Sequence, residues 1–259
     1  NLIDSFLVEK NSFIFESVEK GKIRGRYTIF GKNPDKIWEF NNKNSYLITN
    51  KIKKKIKGNP EKIIEKIIEE FKFETPAELP PICSLISGYF AYDSIRYIEK
   101  IPNRCKDDLK LPDVRLLRPR TLIIHDNLKQ KIFYIINIFN DEKISNYKAK
   151  YLEIEREIND LLVQASLKKS TSHKNNKIII KVKSNTSKSK FLKMVNKAKK
   201  YIKIGDVFQV VLSQRFEAKL SKEPLEIYKK LRVTNPSPFM YFFNFEDFQI
   251  IGASPEILV

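Results

Sequence analysis

Apolar and polar residues alternate along "GDVFQVVLSQRFE", Gly205–Glu217, and that period of two predicts a strand over 207–216. Phe208, Val210, Leu212 and Phe216 fall on one face, and Gln209, Val211, Ser213 and Arg215 on the other. Shorter apolar runs predict strands over Ser12–Phe15, Arg26–Phe30, "DKIWEF", "SYLIT", Leu85–Tyr92 and Ile178–Val182. Hairpins are predicted over "RPRTLIIHDNLKQKIFYIINIF" and "MYFFNFEDFQIIG". Elsewhere the spacing is helical. In "NPEKIIEKIIEEFKF", Asn59 can cap, Pro60 suits the first helical position, and Ile63, Ile64, Ile67, Ile68 and Phe71 share a face. A second helix carries Tyr151, Ile154, Ile158, Leu161 and Leu162 on one side. A third aligns Phe191, Val195, Ala198 and Ile202 and stops at Gly205. Short helices are expected from Asp93 and around "PLEIYKKLR".

Strands and helices are mixed with hairpins, without a regular βαβ repeat, which predicts an α+β fold with largely antiparallel sheets. The polar stretch Ser166–Lys177 is the expected linker, separating a domain over 1–165 from a second over 178–259. At 259 residues and 42% hydrophobic content the chain can bury a substantial core.

The formal net charge of +18 raises the question of a polyanionic partner. Most lysines are dispersed among acids, and "KIKKKIK" (Lys51–Lys57) and "KKSTSHKNNK" (Lys168–Lys177) lack interleaved aromatic residues. Solvated faces are therefore expected, with no nucleic acid and no membrane as partner. Cys83 and Cys105 form no CxxC, which suits free thiols in a reducing cytosol, and His125 and His173 are isolated. No apolar run approaches the roughly 20 residues of a membrane helix. The chain starts at Asn1 and stops on "SPEILV", so a piece of a longer protein is expected. Its 7 glycines form no GxGxxG or Walker loop, and there is no GxSxG elbow.

Three blocks change this picture: "AKKYIKIGDVFQVVLSQRFE" (198–217), "NPSPFMYFF" (235–243) and "GASPEILV" (252–259). They resemble successive signature blocks of the chorismate-utilising enzymes, and within these component I of anthranilate synthase. "FIFESVEKGKIRGRYTIFG", "SGYFAYDSIRYIEKIP" and "LPDVRLLRPRTLIIHDNLKQKI" resemble pieces of that component's N-terminal domain, in the same order. The resemblance implies antiparallel sheets packed as a sandwich with helices outside. It also implies conversion of chorismate and ammonia to anthranilate and pyruvate in the cytoplasm, with ammonia supplied by a glutamine amidotransferase subunit. The Mg²⁺ the family uses would be held by residues following Val259, so the metal ligands are expected outside this chain. The chain alone is expected to make no anthranilate. Aminodeoxychorismate synthase component I, or a non-catalytic tryptophan-binding module, are the alternatives.

The same resemblance suggests roles for particular side chains. Relatives that add water to chorismate carry a lysine base where this chain has Gln209; a neutral amide suits ammonia, which needs positioning more than deprotonation. Read without the resemblance, Gln209 is a cross-strand polar residue touching water. Glu256 in "SPE" matches a general acid that protonates the departing ring hydroxyl, a task for which a partly desolvated carboxyl is expected. Ser17, Pro238, Phe239 and Met240 match positions that bind L-tryptophan as feedback inhibitor. A hydroxyl would meet the polar head, and apolar and aromatic surface the indole. The family usually has tyrosine at the position of Phe239, and "NPSPFM" also reads simply as a turn feeding a buried strand.

Overall fold

The computed structural model describes residues 2–17, 25–42, 44–166 and 181–256. Two compact units divide the chain: residues 1–170 with 224–259, and residues 171–223. The division after Ser170 falls within the expected linker 166–177, but residues 224–259, expected in the second domain, belong to the first unit. The reason is strand pairing, because a hairpin from the last forty residues completes the sheet begun by the first forty.

The first unit is built on one nine-stranded antiparallel sheet. Strands β1 (Ser12–Glu16), β2 (Tyr27–Asn41), β3 (Asn44–Thr49) and β4 (Ile52–Ile56) follow a five-residue helix α1 (Leu2–Phe6). Helix α2 (Pro60–Glu70) starts as its sequence predicts, with the Asn59 side chain accepting from the Glu61 amide and Pro60 inside the first turn. After β5 (Ser87–Phe90) and a 3₁₀ turn (Tyr92–Tyr97) come the hairpin strands β6 (Val114–Asp126) and β7 (Lys131–Ile136), then α3 (Tyr147–Ser166).

Two long strands, β2 and β6, run side by side from Tyr27↔Asp126 to Phe40↔Val114, with a register shift between Pro34 and Lys36. On one side of that shift β2 pairs with β1 and β6 with β7; on the other β2 pairs with β3 and β6 with β5. Alternating side chains from both halves meet in an inner core of Phe13, Ile37, Leu117, Leu122, Ile124, Phe243 and Phe245. The outward residues of each half are covered by helices. Phe6, Ile14, Phe30, Ile123 and Phe242 pack with Leu161 of α3, while Trp38, Phe40, Val114 and Leu116 pack with Ile67 of α2. The result is the expected α+β arrangement, a folded antiparallel sheet with helices outside.

The chain returns to this sheet through α5 (Pro224–Thr234), β10 (Phe239–Asn244) and β11 (Gln249–Ser254). β10 lies antiparallel to β1 from Ser12↔Asn244 to Glu16↔Met240, and β11 lies outside β10. Gly31 of β2 faces Phe13 of β1 so closely that a Cβ there would stand 2.2 Å from the ring, which requires glycine.

The second unit holds α4 (Lys188–Ile204), capped by Ser187 and closed by Gly205 in the left-handed region (φ 83°). It also holds a two-stranded ladder of β8 (Val182–Ser184) and β9 (Phe216–Ala218). The strand expected over 207–216 is not formed. Residues 207–215 are irregular and only Phe216–Ala218 pairs, because β8 offers a partner for just three residues. The linker expected over 166–177 lies, apart from Ser166, outside the described residues.

Candidate functional site: the rim where β1, β10 and β11 end

The ladder brings sequence-distant blocks to one rim of the first unit. Glu16 is paired with Met240, so Ser17 follows one position past the last pair on β1 while Phe239 stands one position before it on β10. Phe239 in turn faces Ser254, the last residue of β11, and Pro255 and Glu256 follow directly. Ser17, Pro238, Phe239, Met240 and Glu256 therefore share one end of the sheet. Met240 is buried in the outer core with Ile14, Phe242 and Tyr228, whereas Ser17, Pro238 and Phe239 are half-buried. Strand alternation sets Phe239 on the opposite face from Met240.

The turn that delivers Phe239 is fastened to the rim by a residue that sequence reasoning missed. Buried Ser237, between Pro236 and Pro238, donates its hydroxyl to the Ser254 carbonyl and accepts from the Phe239 amide at 3.3 Å. Ser254 donates to the Glu256 carbonyl at 3.1 Å. Its signal was a small hydroxyl residue between two prolines, neither of which has an amide to donate.

A second missed group lies one residue before Ser17. The Glu16 carboxylate, with 4% of its side chain exposed, accepts from the Tyr228 hydroxyl at 2.5 Å and from Arg232 Nε at 2.8 Å. Burial, and then the hydrogen bond to Glu16, push the Tyr228 phenol far above its ordinary value. Lys229, one residue on, pairs with Asp4 of α1 and with Glu226. Helix α5 is thereby bound to the end of β1 by charge as well as by packing. Nothing local in the sequence pairs these groups, which stand 212 and 216 residues apart.

The two catalytic candidates fall in different units. Glu256 is exposed on the rim of the first, not in the partly desolvated setting expected of it. Gln209 is exposed in the irregular segment of the second, so its expected place on a strand face is not observed. Among the described residues no group of three or more His, Cys, Asp or Glu side chains is placed to hold a metal ion. No described helix is long and apolar enough to cross a membrane.

Two cavities in the first unit lie away from all of these residues. The larger, about 490 Å³, is lined by Trp38, Phe71, Phe73, Phe139, Arg118 and Asp141 among others. Three of its charged groups pair with one another: Arg118 binds Asp35 and Asp141 and sits 3.8 Å over the Phe139 ring, and Lys36 also binds Asp141. The smaller, about 270 Å³, lies between Arg120, Thr121 and the Glu157–Gln164 stretch of α3. The rim, where separate sequence blocks converge, is the place where most of the site residues singled out by sequence come together; neither cavity contains any of them.

The chain is similar to known proteins over nearly its whole length. The family of chorismate binding enzymes matches residues 11–259. Anthranilate synthase component 1 of Acetivibrio thermocellus is 40% identical over 252 residues, covering 95% of this chain and 51% of that protein. The Cereibacter sphaeroides protein of the same name is 36% identical over 256 residues, covering 96% and 51%. Among solved structures, anthranilate synthase component I from Streptococcus pneumoniae TIGR4 superposes with a TM-score of 0.74 at 31% identity, over 93% of this chain and 52% of that one. The chain thus spans about half the length of the curated relatives it matches.

Proposed function

The chain belongs to the chorismate-binding enzyme family as a homologue of anthranilate synthase component I, and on that premise we propose that it forms part of an anthranilate synthase. The reaction joins ammonia to the ring of chorismate, expels a ring hydroxyl as water and releases the enolpyruvyl group as pyruvate. In this reading Gln209 orients ammonia through a neutral amide, and Glu256 delivers the proton that leaves with the hydroxyl. A glutamine amidotransferase subunit supplies the ammonia. The described residues offer no ligand set for the Mg²⁺ the family implies, and no step is assigned to it. The chain alone makes no anthranilate, because it spans only half of such an enzyme.

The rim is the part of the reading that this chain can exercise by itself: a site for L-tryptophan acting as inhibitor. The observation that supports it is the juxtaposition of Ser17 with Pro238, Phe239 and Met240 across the β1–β10 ladder. Ser17 supplies a hydroxyl for the amino-acid head, and Phe239 an aromatic face for the indole. Phenylalanine has no hydroxyl, so recognition at that position is by stacking alone. Isothermal titration of the full chain with L-tryptophan tests this. One site per chain is expected, weakened at least tenfold by Phe239→Ala and by Ser17→Ala. Absence of heat with tryptophan, or equal binding by both variants, contradicts it.

A further inference from the structure

The larger cavity of the first unit holds a donor that none of the described residues satisfies. The cavity opens between β2 and β6, the end of α2 with the residues that follow it, and the segment after β7. Trp38 of β2 lines it and is 8% exposed. An indole nitrogen is a donor only, and a buried one ordinarily finds an acceptor. Among the described residues, the Trp38 N–H has no acceptor. Nor is it sealed in: the enclosed, unpartnered side-chain atoms belong to Ser45, Ser87, Arg115, Arg120 and Arg215. The Trp38 donor therefore meets open space, and the open space that Trp38 lines is this cavity.

The rest of the lining narrows what an occupant can be. Phe71 packs edge-on against Phe73 at 6.0 Å and lies 6.5 Å from Phe139, which makes an aromatic wall. Arg118, over the Phe139 ring, is held by Asp35 and Asp141, and Lys36 binds Asp141 as well. The other two charged groups, Glu70 and Lys72, are of opposite sign. With Asp35 counted, positive and negative groups balance, so the lining favours neither an anion nor a cation. Ser84 and Asn140 add neutral groups that both donate and accept. A volume of about 490 Å³ is that of a small-molecule site and admits two fused rings.

We propose that this cavity binds an uncharged planar heterocycle of purine type, which accepts from the Trp38 indole N–H and lies against the Phe71–Phe139 wall. A purine is neutral at pH 7 and carries ring-nitrogen acceptors. Indole has none, so L-tryptophan would leave the Trp38 donor unpaired, and this cavity is distinct from the rim in the ligand it takes. The site goes beyond the proposed reaction and is independent of it.

Trp38 is the chain's one tryptophan, so its indole N–H gives a single resonance. The test is titration of the isotopically labelled full chain with adenine, with adenosine and with indole, followed at that resonance and by calorimetry. A saturable downfield shift is expected with adenine or adenosine and none with indole; a shift with adenosine alone makes the ligand the nucleoside. Trp38→Phe keeps a ring and removes the donor, and should weaken binding about tenfold. Phe73→Ser removes part of the aromatic wall at a side chain 47% exposed, outside the core, and should weaken binding about threefold. A resonance unmoved by both adenine and adenosine overturns the proposal, as does an equal shift with indole or full affinity in either variant.

Discussion

Glu16 is a buried carboxylate that survives in the core only through its partners, the Tyr228 hydroxyl and the Arg232 guanidinium. Tyr228→Phe keeps the ring packed against Phe242 but leaves one lone pair of that carboxylate without a donor. A loss of about 1–3 kcal/mol is expected in chemical denaturation. A shift under about 0.3 kcal/mol would mean water replaces the hydroxyl. Asp126, at the end of β6, makes a similar case with a pH signature. Arg26, together with the amides of Lys129 and Leu128, holds its carboxyl down at about 2. Because the folded value is depressed, its contribution is fully present above pH 4 and fades as the pH falls towards 2. Asp126→Asn should cost about 1–2 kcal/mol at pH 7, with the deficit shrinking as the pH falls from 4 to 2; a deficit constant across that range would contradict the linkage. Sequence reasoning reached Ser17 and Phe239 but passed over Glu16, Ser237 and Arg232. The first two were visible through resemblance, whereas the others acquire a role only once the ladder sets β1 beside α5 and β10.

At the level of elements, period and capping chemistry were legible where the neighbours are present. Asn59 and Pro60 start α2, Gly205 ends α4, and the β6–β7 and β10–β11 hairpins fall where alternation puts them. β4 was missed because "IKKKI" reads as charge, yet it is an exposed edge strand whose lysines guard an open edge. Its two-residue turn has Asn50 and Lys51 both at positive φ, a geometry that suits a tight hairpin. Residues 207–215 show the converse: the strand pattern is present, and among the described residues no strand pairs with it. Gly31 carries a prediction at this scale. Phe13 is wedged against Phe15 and Phe243 and cannot yield to a methyl group at position 31. Gly31→Ala should therefore destabilise the fold by about 1–3 kcal/mol. A neutral substitution would show that the Phe13 ring can swing away.

At the scale of the molecule, the α+β class followed from hairpins and the absence of a βαβ rhythm, but the division into units did not. A polar stretch after α3 looks like a boundary in the sequence. In space the chain recrosses it, and β10 and β11 join the sheet of the first unit. That return makes the rim, because it carries Phe239 and Glu256 to the place where β1 releases Ser17. Amide shift mapping of the isotopically labelled full chain during titration with L-tryptophan tests the rim most directly. The account predicts that the largest perturbations fall on Ser17, Phe239, Met240 and Ser254. Perturbations centred on Arg118 and Phe139 at the larger cavity, or none at saturating tryptophan, would contradict it.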